Sequence, residues 1–318
     1  MITDVLSIII GIVIVLMGAD KLTAAASSLA RGMKIPEIVI GMTVVSMGTS
    51  APELFVSLTS ALQHTPDMAL GNVIGSNIFN TLLIVGCAAA VAPMTISRTT
   101  VTKDIPFSVL ASVVLVILCM DDFSSIQITG HLLSRTDGII LLLCLAGFMW
   151  QTYRMAMRER KETSTIPPSM PWWRALLWMA LGLGALILGS DLFVSSASDL
   201  AVSLGMSQAV VGLTIVAGGT SLPELATSVV AAYRGRSAIA IGNVIGSNVF
   251  NILAILGITA FISPLNISGI TPIDLSLLLG SVALLWLFSF TKYTVARWEG
   301  WVLILIFGIY MGWLLWQV

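Results

Sequence analysis

Charge is scarce in this chain. Of 318 residues, 15 are Lys or Arg and 16 are Asp or Glu, 10% in all, where a soluble domain carries roughly 25%. Histidine occurs twice and cysteine three times. Cys87, Cys119 and Cys144 lie in apolar segments, where a free thiol packs as a small hydrophobe, so they argue for neither a disulfide framework nor a metal site. His64 and His131 fall in connections between apolar stretches and have no visible partner. The net charge of −1 says nothing about partners, and no nucleic acid is expected. Long polar segments are also missing. The longest, Arg154 to Met170, reads as a linker stiffened at its end by Pro167, Pro168 and Pro171, and it leaves no room for a soluble catalytic domain.

Apolar residues fill the space that charge leaves, at 57% of the chain and a mean hydropathy of +1.00. A membrane helix needs about 20 mostly apolar residues. Ten such stretches are centred near residues 15, 50, 80, 112, 146, 186, 220, 250, 281 and 307. The first has Asp4 where a signal peptide would carry basic residues, and its apolar run is long, so it reads as a retained span. The fold class expected is an all-α membrane protein.

The positive residues are placed unevenly. Arg31, Lys34, Arg98, Lys103, Arg154, Arg158, Arg160, Lys161, Arg174, Arg234, Arg236, Lys292 and Arg297, 13 of the 15, fall in alternate connections. Arg135 sits in the opposite set, and Lys21 within the first stretch. The positive-inside rule then puts the cation-rich connections in the cytoplasm and both termini outside.

The chain is internally duplicated. Gly41-Met-Thr-Val-Val-Ser-Met-Gly-Thr-Ser-Ala-Pro-Glu53 returns 171 residues later as Gly212-Leu-Thr-Ile-Val-Ala-Gly-Gly-Thr-Ser-Leu-Pro-Glu224, and residues 41–57 match 212–228 at 10 of 17 positions. A second block, beginning Gly71-Asn-Val-Ile-Gly-Ser-Asn, recurs at the same offset, residues 71–86 matching 242–257 at 12 of 16 positions. Five spans per copy force the second copy to enter the membrane from the other side. The expectation is one membrane domain, 1–318, of ten helices in two inverted five-helix repeats, 1–157 and 172–318, with a cytoplasmic linker at 158–171. Inverted repeats are the signature of alternating-access transport.

Each copy of the first motif places a carboxylate and a helix breaker in mid-span. Pro52 and Pro223 remove a main-chain hydrogen bond, so spans two and seven should be broken. In hydrocarbon such a break survives where it is buried or lines a polar cavity, and the carbonyls freed from Ser46 to Thr49 would then face something that takes oxygen ligands. Ser50-x-x-Glu53 and Ser221-x-x-Glu224 also match a capping box. A cap alone, however, does not call for burying an ionisable group, whose cost at the bilayer centre is at least about 2.5 kcal/mol. Asp20 and Asp191 are equivalent too, farther along their spans, where a structural or access-path role is expected.

On a helix Asn72, Ser76 and Asn80 form one stripe, as do Asn243, Ser247 and Asn251. Small and polar residues at this spacing also serve as interhelical glue. Beside two buried carboxylates, neutral amide and hydroxyl oxygens complete a shell for a hard cation without adding charge. Calcium takes 6 to 8 oxygens. Two bidentate carboxylates and the carbonyls of Thr49 and Thr220 would supply about six of them.

The paired Gly-Thr-Ser-x-Pro-Glu and Gly-Asn-x-x-Gly-Ser-Asn-x-x-Asn motifs resemble the α-repeats of the calcium:cation antiporter superfamily, and the chain most resembles its prokaryotic sodium/calcium exchangers over almost its whole length. The resemblance implies Ca2+ bound centrally by Glu53 and Glu224 with carbonyls of Thr49 and Thr220. Flanking Na+ would use Ser50, Ser76, Ser221, Ser247 and the carbonyls of Ser46 and Ala217, with Asn80 and Asn251 lining the centre. It also implies electrogenic exchange of about three Na+ per Ca2+. Exchangers of this type often carry an acidic residue where this chain has Asn251. The partners expected are Ca2+ and Na+, with H+ or K+ as alternative coupling ions, and the lipid bilayer of a prokaryotic plasma membrane. No cofactor, obligate protein partner or enzymatic activity is expected, since no His, Cys or metal-ligand cluster accompanies the glutamates.

Overall fold

The computed structural model describes residues 2–63, 66–120, 131–159, 167–206, 211, 215, 217–267 and 270–316. His64, half of the expected linker (160–166) and residues 212–214 and 216 of the second motif lie outside the described residues. In chain order the helices are α1 Ile2–Met33, α2 Glu37–Thr49, α3 Ala51–Leu62, α4 Asp67–Val91, α5 Thr100–Cys119, α6 Arg135–Glu159, α7 Trp172–Ser203, α8 Ala217–Thr220, α9 Leu222–Tyr233, α10 Ser237–Ile262, α11 Pro272–Ser289 and α12 Arg297–Trp316. Among the described residues eight of these are long and apolar enough to cross a membrane, and the bent pair α2 and α3 makes up to nine. The stretch expected near residue 220 is described at residues 211 and 215 and continuously from α8 onward.

Polarity is inverted relative to a soluble protein. Large apolar side chains such as Phe55, Leu143, Leu188, Leu305 and Ile309 face outward, while Ser, Thr, Asn and two glutamates are buried among α2, α3, α4, α9 and α10. Every residue from Ile239 to Val249 of α10 is buried. An apolar exterior and a polar interior suit a solvent of acyl chains, in which packing and hydrogen bonding, not burial from water, hold helices together.

The longest helices, α1 and α7, pair antiparallel through small residues. A Cβ on Gly11 would lie 2.9 Å from the Gly189 carbonyl, and one on Gly18 would lie 2.9 Å from that of Gly182, so glycine sets the approach at both crossings. Each has 32 residues, about 48 Å at 1.5 Å per residue, which exceeds a hydrocarbon core of about 30 Å and implies tilt.

Two short ladders tie the connections together. β1 Met94–Thr95 pairs with β4 Thr294–Val295, and β2 His131–Leu133 with β3 Leu265–Ile267, both antiparallel. The cation-rich connections gather around the first ladder. Arg234 Nε donates to Asp20 at 2.8 Å, Arg236 to the Thr23 hydroxyl at 2.9 Å, and Arg297 to the Val91 carbonyl at 3.3 Å. Arg31 pairs with Glu37 at 3.3 Å, and Glu37 also accepts a short hydrogen bond from Ser27. Arg135, the outlying cation, opens α6 just after β2.

Candidate ion site

The site grows from the break between α2 and α3. Pro52 has no N–H, so the Gly48 carbonyl loses its usual donor. The chain bends by 46° at Ser50. Glu53 then sits in the first turn of α3, and Glu224 in the first turn of α9 after Ser221 and Pro223. Both glutamates are 1% exposed.

The two motifs interlock. Ser50 Oγ donates to Glu224 Oε1 at 2.9 Å, and Ser221 Oγ donates to Glu53 Oε1 at 2.9 Å. The serines make no capping bond to their own helices, so the capping-box alternative fails and each hydroxyl serves the opposite carboxylate. The second oxygen of each glutamate, Oε2, is buried without a hydrogen-bond partner. So are Asn80 Oδ1, Asn251 Oδ1, Asn248 Oδ1 and Ser247 Oγ. Buried polar atoms without partners are rare because each costs about 1–3 kcal/mol. Buried open oxygens that include one from each of two carboxylates match the ligand chemistry of a hard cation.

Asn72 and Asn243 hold the hairpins in shape. Asn72 Nδ2 donates to the Glu53 carbonyl at 3.3 Å and Ser57 Oγ at 2.9 Å, and Asn243 Nδ2 to the Glu224 carbonyl at 3.4 Å and Ser228 Oγ at 3.1 Å. Each therefore fixes the backbone of a glutamate without touching its carboxylate. Thr49, buried, has its hydroxyl 3.2 Å from Asn243 Oδ1, while Thr220 is half-buried at the end of α8.

Other expected positions differ in detail. The Ser46 carbonyl is not free as expected, because the helix continues through it. It accepts the Ser50 N–H at 2.9 Å and lies 3.3 Å from the Thr49 hydroxyl. Ser76 is buried on α4, and Ala217 opens α8. Asn80 and Asn251 are the second residues of matching π-helical segments, Phe79–Ile84 and Phe250–Leu256, a wider turn often found at functional sites. Asp20 is ion-paired, whereas Asp191 is exposed.

A further contact set was not anticipated from the stripe pattern. Asn251 Nδ2 donates to Asn77 Oδ1 at 3.3 Å, and Asn248 Nδ2 to Thr81 Oγ1 at 2.8 Å. These bonds join α4 to α10 directly. The signal available was that Asn77 and Asn248 are themselves a repeated pair. Among the described residues no group of three or more His, Cys, Asp or Glu side chains could hold a metal ion.

Residues 3–154 and 174–316 match the family model described as sodium/calcium exchanger protein. The chain belongs to the sodium/calcium exchanger family. It is 39% identical over 266 residues to the putative antiporter CaxA of Alkalimonas amylolytica, covering 83% of this chain and 82% of that one. It is 30% identical over 347 residues to the sodium/calcium exchanger MaX1 of Methanosarcina acetivorans, covering 96% and 97%. The solved structure of the sodium-calcium exchanger NCX_Mj, soaked with zero Na+ and Ca2+, superimposes with a TM-score of 0.84 at 29% identity, covering 98% of this chain and 99% of that one. This family member is thus a multi-pass integral membrane protein of the calcium:cation antiporter superfamily, whose relatives are transporters.

Proposed function

We propose that this exchanger moves Ca2+ against Na+ by alternating access, electrogenically, with about three Na+ for each Ca2+. The observation that carries this reading is the crossed pair of buried glutamates, each bonded to the opposite serine and each with one oxygen open. Ca2+ would lie between Glu53 and Glu224, with the carbonyls of Thr49 and Thr220. Na+ would flank it at Ser50, Ser76, Ser221 and Ser247, and at the carbonyls of Ser46 and Ala217, with Asn80 and Asn251 lining the centre. At Ser46 an incoming ion would replace the 3.3 Å contact from the Thr49 hydroxyl. Two carboxylates balance one Ca2+ to neutrality, whereas three Na+ leave one positive charge. Asn251, neutral where a third acid could stand, keeps that count.

The architecture that supports exchange is ten spans as two inverted five-helix repeats, 1–157 and 172–318, joined by the linker 158–171, in the plasma membrane of a prokaryote. The gathering of the cation-rich connections at one end of the bundle supports a cytoplasmic assignment for that end, and hence both termini outside. The glycine-lined pair α1 and α7 would slide against the hairpins to change which side reaches the ions. Carboxylates shared between the two kinds of ion, and reached from one side at a time, would give obligatory exchange instead of leak.

Calcium uptake into proteoliposomes under separately imposed Na+, H+ and K+ gradients tests the proposal. Uptake should require the Na+ gradient and should rise when the membrane potential favours net export of positive charge from the vesicle. Uptake driven by H+ alone, an absolute need for K+, or indifference to potential would each overturn the corresponding part.

A further inference from the structure

A second site lies away from the glutamates. The first turn of α5 and the last turns of α6 enclose an open cavity of about 780 Å³, lined by Thr99, Lys103, Asp104, Trp150, Arg154 and Arg158 among others. Three cations from two helices therefore face one space, against a single carboxylate. Asp104 is buried, whereas Lys103, Arg154 and Arg158 are exposed. Among the described residues no ion pair engages those three. The Arg154 guanidinium lies over the Trp150 ring at 4.9 Å, which holds its plane. Trp150 in turn stacks with Tyr153 at 5.9 Å between centroids, and both rings are 56% exposed.

We infer that this cavity binds the phosphate of an anionic phospholipid headgroup at the cation-rich end of the bundle. Arg at the end of a helix is ordinarily explained by the helix dipole or by snorkelling to the interface. Neither explanation calls for a third cation contributed by another helix, nor for a cavity between them. Exposed Trp and Tyr mark the headgroup level of a membrane, and basic pockets between spans at that level accept lipid phosphates. A guanidinium held by an aromatic face presents its fork to phosphate oxygens. The other half differs at the corresponding place. The position equivalent to Lys103 is Asp274, whose carboxylate caps its own helix through Thr271 and accepts the Tyr310 hydroxyl at 2.7 Å. The inference does not depend on which ions are exchanged.

Native mass spectrometry of the detergent-solubilised full chain, equilibrated with phosphatidylglycerol or phosphatidylcholine, reads the site directly. Each basic residue at a membrane surface contributes about a fivefold factor in binding. The Lys103→Gln, Arg154→Gln, Arg158→Gln triple variant should therefore retain at least about tenfold less phosphatidylglycerol than the wild type, with phosphatidylcholine retention unchanged. Equal phosphatidylglycerol retention in the two proteins would overturn the assignment. Displacement of the lipid from the wild type by millimolar inorganic phosphate would also overturn it, by showing a site for the free anion. If the triple variant melts early in phosphatidylcholine, Arg154→Gln alone carries the same criterion at about fivefold, with Arg154→Lys expected to fall between it and the wild type.

Discussion

The hairpin of α3 and α4 and the hairpin of α9 and α10 are near copies around their carboxylates and differ one to two turns farther along. In both, a serine before the proline donates across to the opposite glutamate, and an asparagine clasps the glutamate's own carbonyl and a nearby serine. Beyond this the contacts diverge. Thr81 accepts from Asn248, but its counterpart is Ile252, which has no hydroxyl to offer Asn77. Asn77 instead accepts from Asn251. The duplicated parts are those that face charge, where both halves meet the same electrostatic demand. The parts that differ settle how α4 and α10 lock to one another, and one partner per bond is enough for that.

Neutralising either carboxylate gives the most severe test of equivalence. Glu53→Gln and Glu224→Gln should each cut calcium uptake by about 100-fold or more while leaving the melting temperature close to wild type, since each removes one of two buried charges. Uptake that survives in one variant alone would break the symmetry, and survival in both would dismiss the site. Next come the crossed donors. Ser50→Ala and Ser221→Ala each delete a hydrogen bond to a carboxylate, worth about 1.5–3 kcal/mol, so the half-saturating Ca2+ concentration should rise about tenfold in each. A large gap between the two values would mean that one half controls the ion more than the other.

The unlike region should respond unlike. Thr81→Val strands the Asn248 amide and should cost about 1–3 kcal/mol of stability. Ile252→Val, at the matching position, should cost only about 0.5–1.5 kcal/mol. Thermal unfolding in detergent compares them, and equal losses would show that the 2.8 Å bond is unimportant. The smallest effect belongs to the ends of the bundle. Asp20 has Arg234 at 2.8 Å, with side-chain exposures of 35% and 51%, so Arg234→Gln should lower stability by less than about 1 kcal/mol, and by less still at high salt.

The meeting of the two glutamates was legible in the sequence. A repeated carboxylate beside a repeated proline names two breaks and two charges, and the cost of burying charge in lipid demands that they meet. The structure joins Glu53 and Glu224 through Ser50 and Ser221. Most of the spans were legible for the same reason, since apolar length is the membrane's own criterion. The choice of partners was harder to see. Asn72 and Asn77 are five residues apart, roughly 140° around a helix at 3.6 residues per turn, so they face different neighbours. Asn72 turns to its own hairpin, while Asn77, about 40° from Thr81, turns to α10. Periodicity gives the direction of a side chain but not what stands opposite. The π-helical segments at Asn80 and Asn251 escaped for a related reason, since no residue type marks a turn that widens to suit its surroundings.

The crossed serine bonds also bear on how such a chain could have arisen. Neither half owns a finished cage, because the hydroxyl that steadies each carboxylate belongs to the other. A half-length forerunner carrying this hairpin would have needed a second copy of itself to supply that hydroxyl. Fusion into one polypeptide then fixes the partner permanently, and frees each half to drift wherever it does not touch the ion.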